Sequence, residues 1–200
     1  GLDSCFEDLD NPIELFKKWF SKAEKNEIND ANAVAVATSD KNNQPNVRMV
    51  LLKGLSDKGF VFYTNFNSKK GGELKNNQKA SMCFHWKSLR RQVRVLGKVE
   101  EVTSKEADDY YNSRPYKNRI GAWASSQSQI LEKRQVFLDK IKEFEKKYPD
   151  ENNVPRPPHW SGWRLIPDEI EFWVDGEGRI HERLNYKNSE GKWNKEILYP

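Results

Sequence analysis

Short runs of apolar and β-branched residues, most of them ended by turn residues, recur along much of this 200-residue chain. Such runs are typical of β-strands. The predicted strands are residues 33–38, 47–53, 59–64, 81–86, 92–102, 163–166, 170–174 and 179–186, with a short one at 195–198. Most connections are too short for the crossover that parallel neighbours need. We therefore predict an α+β fold that is mainly β, an antiparallel barrel with peripheral helices.

Helix signals lie between and around these strands. The predicted helices cover residues about 12–25, 69–77, 103–112 and about 128–148. Asn11 and Pro12 suit a helix cap and first helical position, and residues 103–106 have the pattern of a capping box. Ser126 or Ser128 is the predicted cap of the longest helix. The whole chain, residues 1–200, is expected to form a single domain.

The composition excludes several classes of function. The net charge is +4, from 34 basic and 30 acidic residues without a basic run, which favours small anions over nucleic acid as partners. Seven Trp, seven Tyr and ten Phe argue against disorder. Cys5 and Cys83 form no CxxC pair, which is typical of a reducing compartment. With no membrane-length apolar run and no secretory segment, we expect a cytoplasmic protein without membrane contact.

Familiar catalytic motifs do not occur in the sequence. There is no GxGxxG after a strand, no Walker loop and no GxSxG elbow. Three histidines without HExxH or a cysteine cluster make a metal site improbable. The remaining candidates are groups that bind anions.

Arg179, His181 and Arg183 recur at every second residue. On a strand, this spacing would point all three side chains to one face, where two guanidiniums and an imidazole could hold an anion or an electron-rich ring. A charged edge strand that faces water is the alternative, and the two interpretations have about even weight on these residues alone.

Cations also occur near other strand ends. Arg48 and Lys53 have an odd separation, so a shared ligand would require a bulge or a site at the strand end. Lys69 and Lys70 begin a predicted helix, where ammonium groups and backbone N–H groups can both bind phosphate. A solvated lysine pair is the alternative.

Three further positions could contact a ligand. The amide of Gln92 could pair with a heterocycle or face water, and Gln127 with Ser128 could form a loop contact or a helix cap. Tyr110 and Arg114 lie four residues apart, a spacing that brings two helical side chains together. An ordinary surface pair is the alternative for them.

Nine short motifs connect these residues to a known family. They are RMVLLK at 48–53, VFYTN at 61–65, RQV at 91–93, SRP at 113–115, IGAW at 120–123, QS at 127–128, WSGW at 160–163, IEFW at 170–173 and RIHER at 179–183. Together, and in this order, they resemble the pyridoxamine 5'-phosphate oxidase family. The resemblance extends from about Asn11 to the C-terminus.

The resemblance implies a split β-barrel and a homodimer with FMN between the subunits. The implied cofactor contacts are Arg48, Met49, Val50, Leu51, Leu52, Lys53, Tyr63, Thr64, Lys69, Lys70, Gln92, Gln127, Ser128, Trp173 and Arg183. The implied substrate contacts are Lys53, Tyr110, Arg114, Asn118, Arg179 and His181, with Arg179 and His181 as the catalytic pair beside the flavin.

The resemblance also implies a reaction. Pyridoxamine 5'-phosphate or pyridoxine 5'-phosphate would be oxidised to pyridoxal 5'-phosphate, with dioxygen as electron acceptor and hydrogen peroxide as product. A flavin carries out such redox chemistry while the protein aligns the substrate, which accounts for the lack of a catalytic triad. A flavin-binding split-barrel relative without oxidase activity is the alternative, and a nucleic-acid binder ranks far lower.

The chain departs from the family pattern in four places. Asn118 stands where a Ser is usual, and Lys69 where an Arg is common. Residues 197–200 read ILYP instead of the usual RLAP, and an N-terminal arm is expected to be missing or shortened before Asp10. Asn can still donate a hydrogen bond and Lys keeps its charge, so phosphate binding is expected to survive.

Overall fold

The computed structural model describes residues 6–200, so Cys5 lies outside the described residues. The α-helices are α1 (Pro12–Asn26), α2 (Lys69–Asn76), α3 (Ser104–Ser113), α4 (Tyr116–Ala124) and α5 (Arg134–Lys147). The strands are β1 (Ala33–Ser39), β2 (Pro45–Leu51), β3 (Gly54–Ser56), β4 (Gly59–Asn65), β5 (Lys79–Trp86), β6 (Arg91–Glu101), β7 (Trp160–Val174), β8 (Glu182–Ser189) and β9 (Lys192–Leu198).

All nine strands belong to one sheet whose pairs are antiparallel, as predicted. The main order is β2-β1-β5-β6-β7-β4-β3, and β8 lies beside β7 with β9 beyond it. The sheet curls so that the end of β2 returns to β4, where the Lys53 N–H donates to the carbonyl oxygen of Val61 at 2.8 Å. The predicted split barrel with peripheral helices is confirmed.

β7 is the strand that unites the sheet. It pairs with β4, β6 and β8, and a register shift at Leu96 and Gly97 of β6 bends its ladder. A Cβ atom at Gly97 would lie 2.0 Å from the carbonyl oxygen of Ile166, so only glycine permits this close approach.

Aromatic side chains fill much of the core. α1 covers one face of the barrel with its apolar stripe, and the Phe16 ring lies 5.0 Å from Phe60 and 4.9 Å from Phe84 between ring centroids. The Trp19 ring meets Phe172 edge-on at 5.1 Å. Such contacts bury large areas in a chain with few aliphatic residues. No helix among residues 6–200 has the length and apolar character needed to cross a membrane.

Local cap signals predicted two helix starts correctly. The Asn11 side chain accepts from the Ile13 N–H, and the capping box between Thr103 and Glu106 is complete. The short strand β3 and the helix α4 were not predicted, and residues 163–166 and 170–174, predicted as two strands, form one continuous strand.

The helix predicted at about 128–148 starts later than predicted. The helix does not begin near residue 128 but at Arg134, with Lys133 as a cap that makes no side-chain hydrogen bond. Ser128 has a φ of 70°, in the left-handed region, which is incompatible with a helical turn. The loop that precedes α5 instead makes a tight turn, in which the Gln129 N–H donates to the Ser126 carbonyl oxygen at 2.9 Å.

The predicted strand at residues 179–186 was also wrong at its beginning. Arg179 lies in a 3-10 turn, Glu177–Arg179, with a φ of 64°, and β8 begins only at Glu182. Gly178 in this turn has a φ of 66°, which glycine adopts without strain. Arg179, His181 and Arg183 therefore do not share one strand face, because only Arg183 lies on the strand.

Candidate functional site

A cleft of about 1070 Å³ opens where β2 and β4 meet the helices. β2, β4, α2, α3, α4 and the loop before α5 all contribute to its wall. It brings together most of the predicted site residues: Arg48, Met49, Val50, Leu51, Lys53, Tyr63, Thr64, Lys69, Lys70, Tyr110, Arg114, Asn118, Gln127 and Ser128. The side chain of Leu52, another predicted contact, is buried in the core instead.

Lys70 is the most buried cation of the cleft, with 7% of its surface exposed. Its Nζ donates to Thr64 Oγ1 at 2.8 Å and to Gln127 Oε1 at 2.9 Å, which joins β4, α2 and the loop before α5. Burial and the nearby Arg48 guanidinium lower the pKa of Lys70 to about 8. An ammonium has three donors, so these two acceptors leave capacity for an anion.

Arg48 lies beside Lys70 and is held by a buried carboxylate. Its Nη1 donates to Thr38 Oγ1 at 2.6 Å and to the Val36 carbonyl oxygen at 3.0 Å, and its Nη2 lies 3.6 Å from Glu73. Burial lowers the pKa of Arg48, and the charge of Glu73 opposes that shift. Two cations with one carboxylate leave an excess of positive charge for an anion to neutralise.

A stack of three aromatic rings forms another part of the cleft wall. The Tyr63 ring centroid lies 4.2 Å from that of Tyr110 and 5.3 Å from that of Trp160, and the Tyr110 and Trp160 centroids are 6.1 Å apart, so each ring contacts both others. The guanidinium of Arg114 lies over the Trp160 ring, with its central carbon 4.8 Å from the ring centroid. Its Nη1 is buried and has no hydrogen-bond partner in the part of the chain that the structure describes, and burial lowers the pKa of the guanidinium.

The odd separation of Arg48 and Lys53 is resolved at the end of a strand. β2 ends at Leu51, and the chain then turns toward β4, so Lys53 no longer follows the alternation of the strand. Arg48 and Lys53 consequently line the same cleft. A shared ligand was expected to require either a bulge or a site at the end of the strand, and the structure has the second arrangement.

The remaining five predicted residues form a second group on β6, β7, β8 and the turn before β8. Gln92 pairs with Trp173, and Trp173 pairs with Arg183, so the three residues form a row across the sheet. Arg183 Nη2 lies 2.6 Å from the buried carboxylate of Glu171, and its Nη1 donates to the Tyr199 carbonyl oxygen at 2.9 Å. The hydrogen bond to Glu171 raises the pKa of Arg183.

His181 and Arg179 lie next to this row. The His181 ring is 4.8 Å from the Trp173 ring between centroids, and its Nδ1 is 3.1 Å from Asp175 Oδ1. Arg179 is exposed in the adjacent turn. None of these five residues of the second group lines the cleft.

The two groups lie at opposite ends of β7. Trp160 at its start lines the cleft, whereas Trp173 lies thirteen residues further along the strand, which corresponds to roughly 40 Å of extended chain. Within one subunit, no residue of the second group lines the cleft. The second group is therefore available to another molecule.

Several cleft residues were not predicted from the sequence. The Glu73 carboxylate pairs with Arg48, and the Asn46 amide donates to that carboxylate. Trp160 and Lys117 line the wall of the cleft. The WSGW motif at 160–163 was a signal for Trp160, but nothing in the sequence identified Glu73 as a partner. In the part of the chain that the structure describes, no cluster of His, Cys, Asp or Glu could hold a metal ion.

The fold defines a protein of the split-barrel class, and its cleft is lined by several cations. A family model described as pyridoxamine 5'-phosphate oxidase matches residues 20–148, and one described as the C-terminal dimerisation region of pyridoxine 5'-phosphate oxidase matches residues 160–200. The chain belongs to the pyridoxamine 5'-phosphate oxidase family of oxidoreductases.

Relatives over the full length support this assignment. The chain is 61% identical to the pyridoxine/pyridoxamine 5'-phosphate oxidase of Pelagibacter ubique, over 100% of the chain and 97% of the relative. It is 54% identical to that of Sinorhizobium fredii, over 98% and 95%.

Solved structures show the same fold. PhzG from Burkholderia lata, in complex with tetrahydrophenazine-1-carboxylic acid, has a TM-score of 0.92 and 28% identity, over 99% of this chain and 96% of that one. An FMN-binding protein from Nostoc punctiforme has a TM-score of 0.74 and 19% identity, over 92% and 97%, and supports the fold alone.

Proposed function

We propose that the protein is an FMN-dependent oxidase that converts pyridoxamine 5'-phosphate or pyridoxine 5'-phosphate to pyridoxal 5'-phosphate. The observation that carries the proposal is the presence of two cationic groups in one cleft, Arg48 with Lys70 and Lys53 with Arg114. FMN and the substrate each carry one phosphate, so two such groups are required.

The group around Lys70 suits the phosphate of FMN. Lys70 and Arg48 are largely buried and close enough for the charge of Arg48 to lower the pKa of Lys70. Lys69 and Ser128 lie at the rim, and Thr64 offers a hydroxyl that already contacts Lys70. A dianion would offset the mutual repulsion of the two cations.

The group around Arg114 suits the phosphate of the substrate. The Arg114 guanidinium has a buried nitrogen without a partner, and it lies in the cleft with Tyr110, Lys53 and Asn118. An unsatisfied buried donor is costly, and a phosphate oxygen would relieve that cost. Asn118 can donate where a serine is usual.

The second group is proposed to complete the site from the other subunit of a homodimer. The dimerisation-region match covers residues 160–200, which include Trp173 and Arg183. In a twofold dimer, the row of Gln92, Trp173 and Arg183 would contact the FMN bound in the partner's cleft. Arg179 and His181 would then cover the pyridine ring of the substrate beside the flavin.

Bound FMN would supply the redox chemistry by accepting a hydride equivalent from the exocyclic substrate carbon, with dioxygen as final acceptor and hydrogen peroxide as product. The alcohol would give the aldehyde directly, whereas the amine would give an imine that water hydrolyses to the aldehyde and ammonia. The residues of this chain would bind the two phosphates and align the substrate ring with the flavin. The cytoplasm as the location of the protein remains a prediction.

Oxygen consumption by the purified, FMN-loaded protein tests the proposal. Pyridoxamine 5'-phosphate and pyridoxine 5'-phosphate are expected to be oxidised, whereas unphosphorylated pyridoxamine is expected to react far less efficiently. In Arg114→Ala, the ratio of kcat/KM for pyridoxamine 5'-phosphate to that for pyridoxamine should fall, because the variant lacks a contact to the phosphate. A protein that binds FMN tightly but oxidises neither phosphate ester would instead be the split-barrel relative without oxidase activity.

A further inference from the structure

We propose that Asp175 is a positioning residue that orients His181 toward the substrate. This inference rests on the proposed function, because that function places His181 over the substrate ring. Asp175 lies in the turn between β7 and β8, between the family motifs at 170–173 and 179–183. It belongs to neither motif.

The Nδ1 atom of His181 is tied to this turn in either protonation state. Asp175 Oδ1 lies 3.1 Å from Nδ1, and the Gly176 backbone nitrogen also lies 3.1 Å from it. One partner accepts a proton and the other donates one, so they exclude each other as simultaneous hydrogen bonds. A protonated Nδ1 donates to Asp175, and an unprotonated Nδ1 accepts from Gly176.

In both states, Nε2 has no hydrogen-bond partner among residues 6–200. The Trp173 ring limits rotation from one side, with its centroid 4.8 Å from that of His181 and a tilt of 41°. The carboxylate and the indole together therefore define the plane of the imidazole. A ring held in this way presents Nε2 in one direction, which is what a group that contacts a reacting substrate requires.

Asp175 is itself fixed by Arg90. The Arg90 Nε donates to Asp175 Oδ2 at 2.7 Å, the Nη2 of Arg90 contacts the same oxygen, and the Asp175 N–H donates to the Arg90 carbonyl oxygen at 3.0 Å. The Arg90 side chain is largely exposed, so this ion pair adds little stability. Its effect is geometric, since it leaves Oδ1 of Asp175 directed at His181.

The test compares Asp175→Asn with Glu177→Gln in the full-length, FMN-loaded protein. Glu177 is exposed in the same turn, so the control removes the same charge at a similar place in the chain. We expect Asp175→Asn to lower kcat/KM for pyridoxamine 5'-phosphate about tenfold, the effect of one charge-assisted hydrogen bond. FMN affinity should stay within about twofold, and the control should keep the full kcat/KM.

A double-mutant cycle with His181→Ala identifies the route of the effect. If Asp175 acts through His181, Asp175→Asn should cause no further loss in the His181→Ala background. Histidine ¹⁵N spectra give a second readout, because the protein has three histidines. The Nδ1 resonance of His181 should shift in Asp175→Asn and stay in place in Glu177→Gln.

The outcomes separate this inference from the function on which it rests. Full activity of His181→Ala would remove the proposed role of His181 itself. A damaged His181→Ala with an undamaged Asp175→Asn would overturn only the inference about Asp175. Equal losses in Asp175→Asn and Glu177→Gln would also overturn it, because they would indicate a general effect of charge in the turn.

Discussion

Single residues in this protein obtain their properties from partners that are distant in the sequence. Glu73 holds Arg48, Glu171 holds Arg183, and Thr64 with Gln127 surrounds Lys70. In each case a charged side chain of the proposed site is already held by the fold in the absence of a ligand. Such preorganisation reduces the entropy lost on binding.

The lowered pKa of Lys70, about 8, predicts opposite pH dependences for FMN binding and for stability. Only the ammonium form attracts phosphate, so FMN affinity should fall as pH rises through about 8. Over the window from about 8 to the ordinary pKa of 10.5, the unfolded chain binds more protons than the folded one. The free energy of unfolding of flavin-free protein should therefore rise there.

Flavin-fluorescence titrations and denaturant unfolding between about pH 7 and about pH 10.5 measure both trends. Lys70→Arg is the control, because a guanidinium stays charged throughout this range. Its FMN affinity should lose the decline above about pH 8. A decline of equal size in both proteins would assign the effect to another group.

Arg179 predicts a conflict between stability and activity. Its φ of 64° is unfavourable for a residue with a side chain, so Arg179→Gly should raise the free energy of unfolding by about 0.5–1 kcal/mol. The same change removes a proposed substrate contact and should lower kcat/KM while FMN affinity is retained. Thermal unfolding and steady-state turnover of one preparation measure both effects. A lower free energy of unfolding in this variant would contradict the inference that the backbone of Arg179 is strained.

At the scale of elements, the β6–β7 ladder depends on the absence of a side chain at one position. Gly97→Ala would place a Cβ atom 2.0 Å from the Ile166 carbonyl oxygen, and the two strands would have to separate. We expect a loss of about 2 kcal/mol or more in the free energy of unfolding.

Gly72→Ala is the matched control for this prediction. Gly72 lies within α2, and a Cβ atom there would meet nothing within 4 Å. The control should gain up to about 1 kcal/mol from helix propensity. Chemical denaturation of both variants provides the comparison, and similar values for the two would show that the close approach at Gly97 can relax.

Local signals were sufficient to predict most elements but not all of their ends. Asn11 and the capping box at 103–106 act within one turn of chain, and the structure has both. The alternation at residues 179–183 was misleading, because the conformation of the turn overrides a polar pattern that has no core face to fix it. The loop before α5 is held by the contact between Gln127 and Lys70, which no local pattern encodes.

At the scale of the whole molecule, the sequence predicted which cations line the cleft but not which side chains hold them in place. The chain supplied the motif positions of Arg48, Lys70 and Arg114, and the fold places them in one cleft. Glu73 and the aromatic stack around Trp160 depend on how distant elements pack, so they could not be read from spacing. The separation of the second group along β7 was likewise invisible in the sequence.

If the second group completes the cleft of the partner subunit, as proposed, two damaged copies of the protein should complement each other. In a dimer of one Arg48→Ala and one Arg183→Ala subunit, one site would carry both defects and the other neither. Mixed dimers are expected to retain about one FMN and about half of the normal activity, whereas each pure variant loses flavin. Coexpression of differently tagged subunits, followed by purification on each tag in turn, isolates the mixed dimers so that their FMN content and activity can be measured. If complementation fails, both groups of residues serve a site within their own subunit.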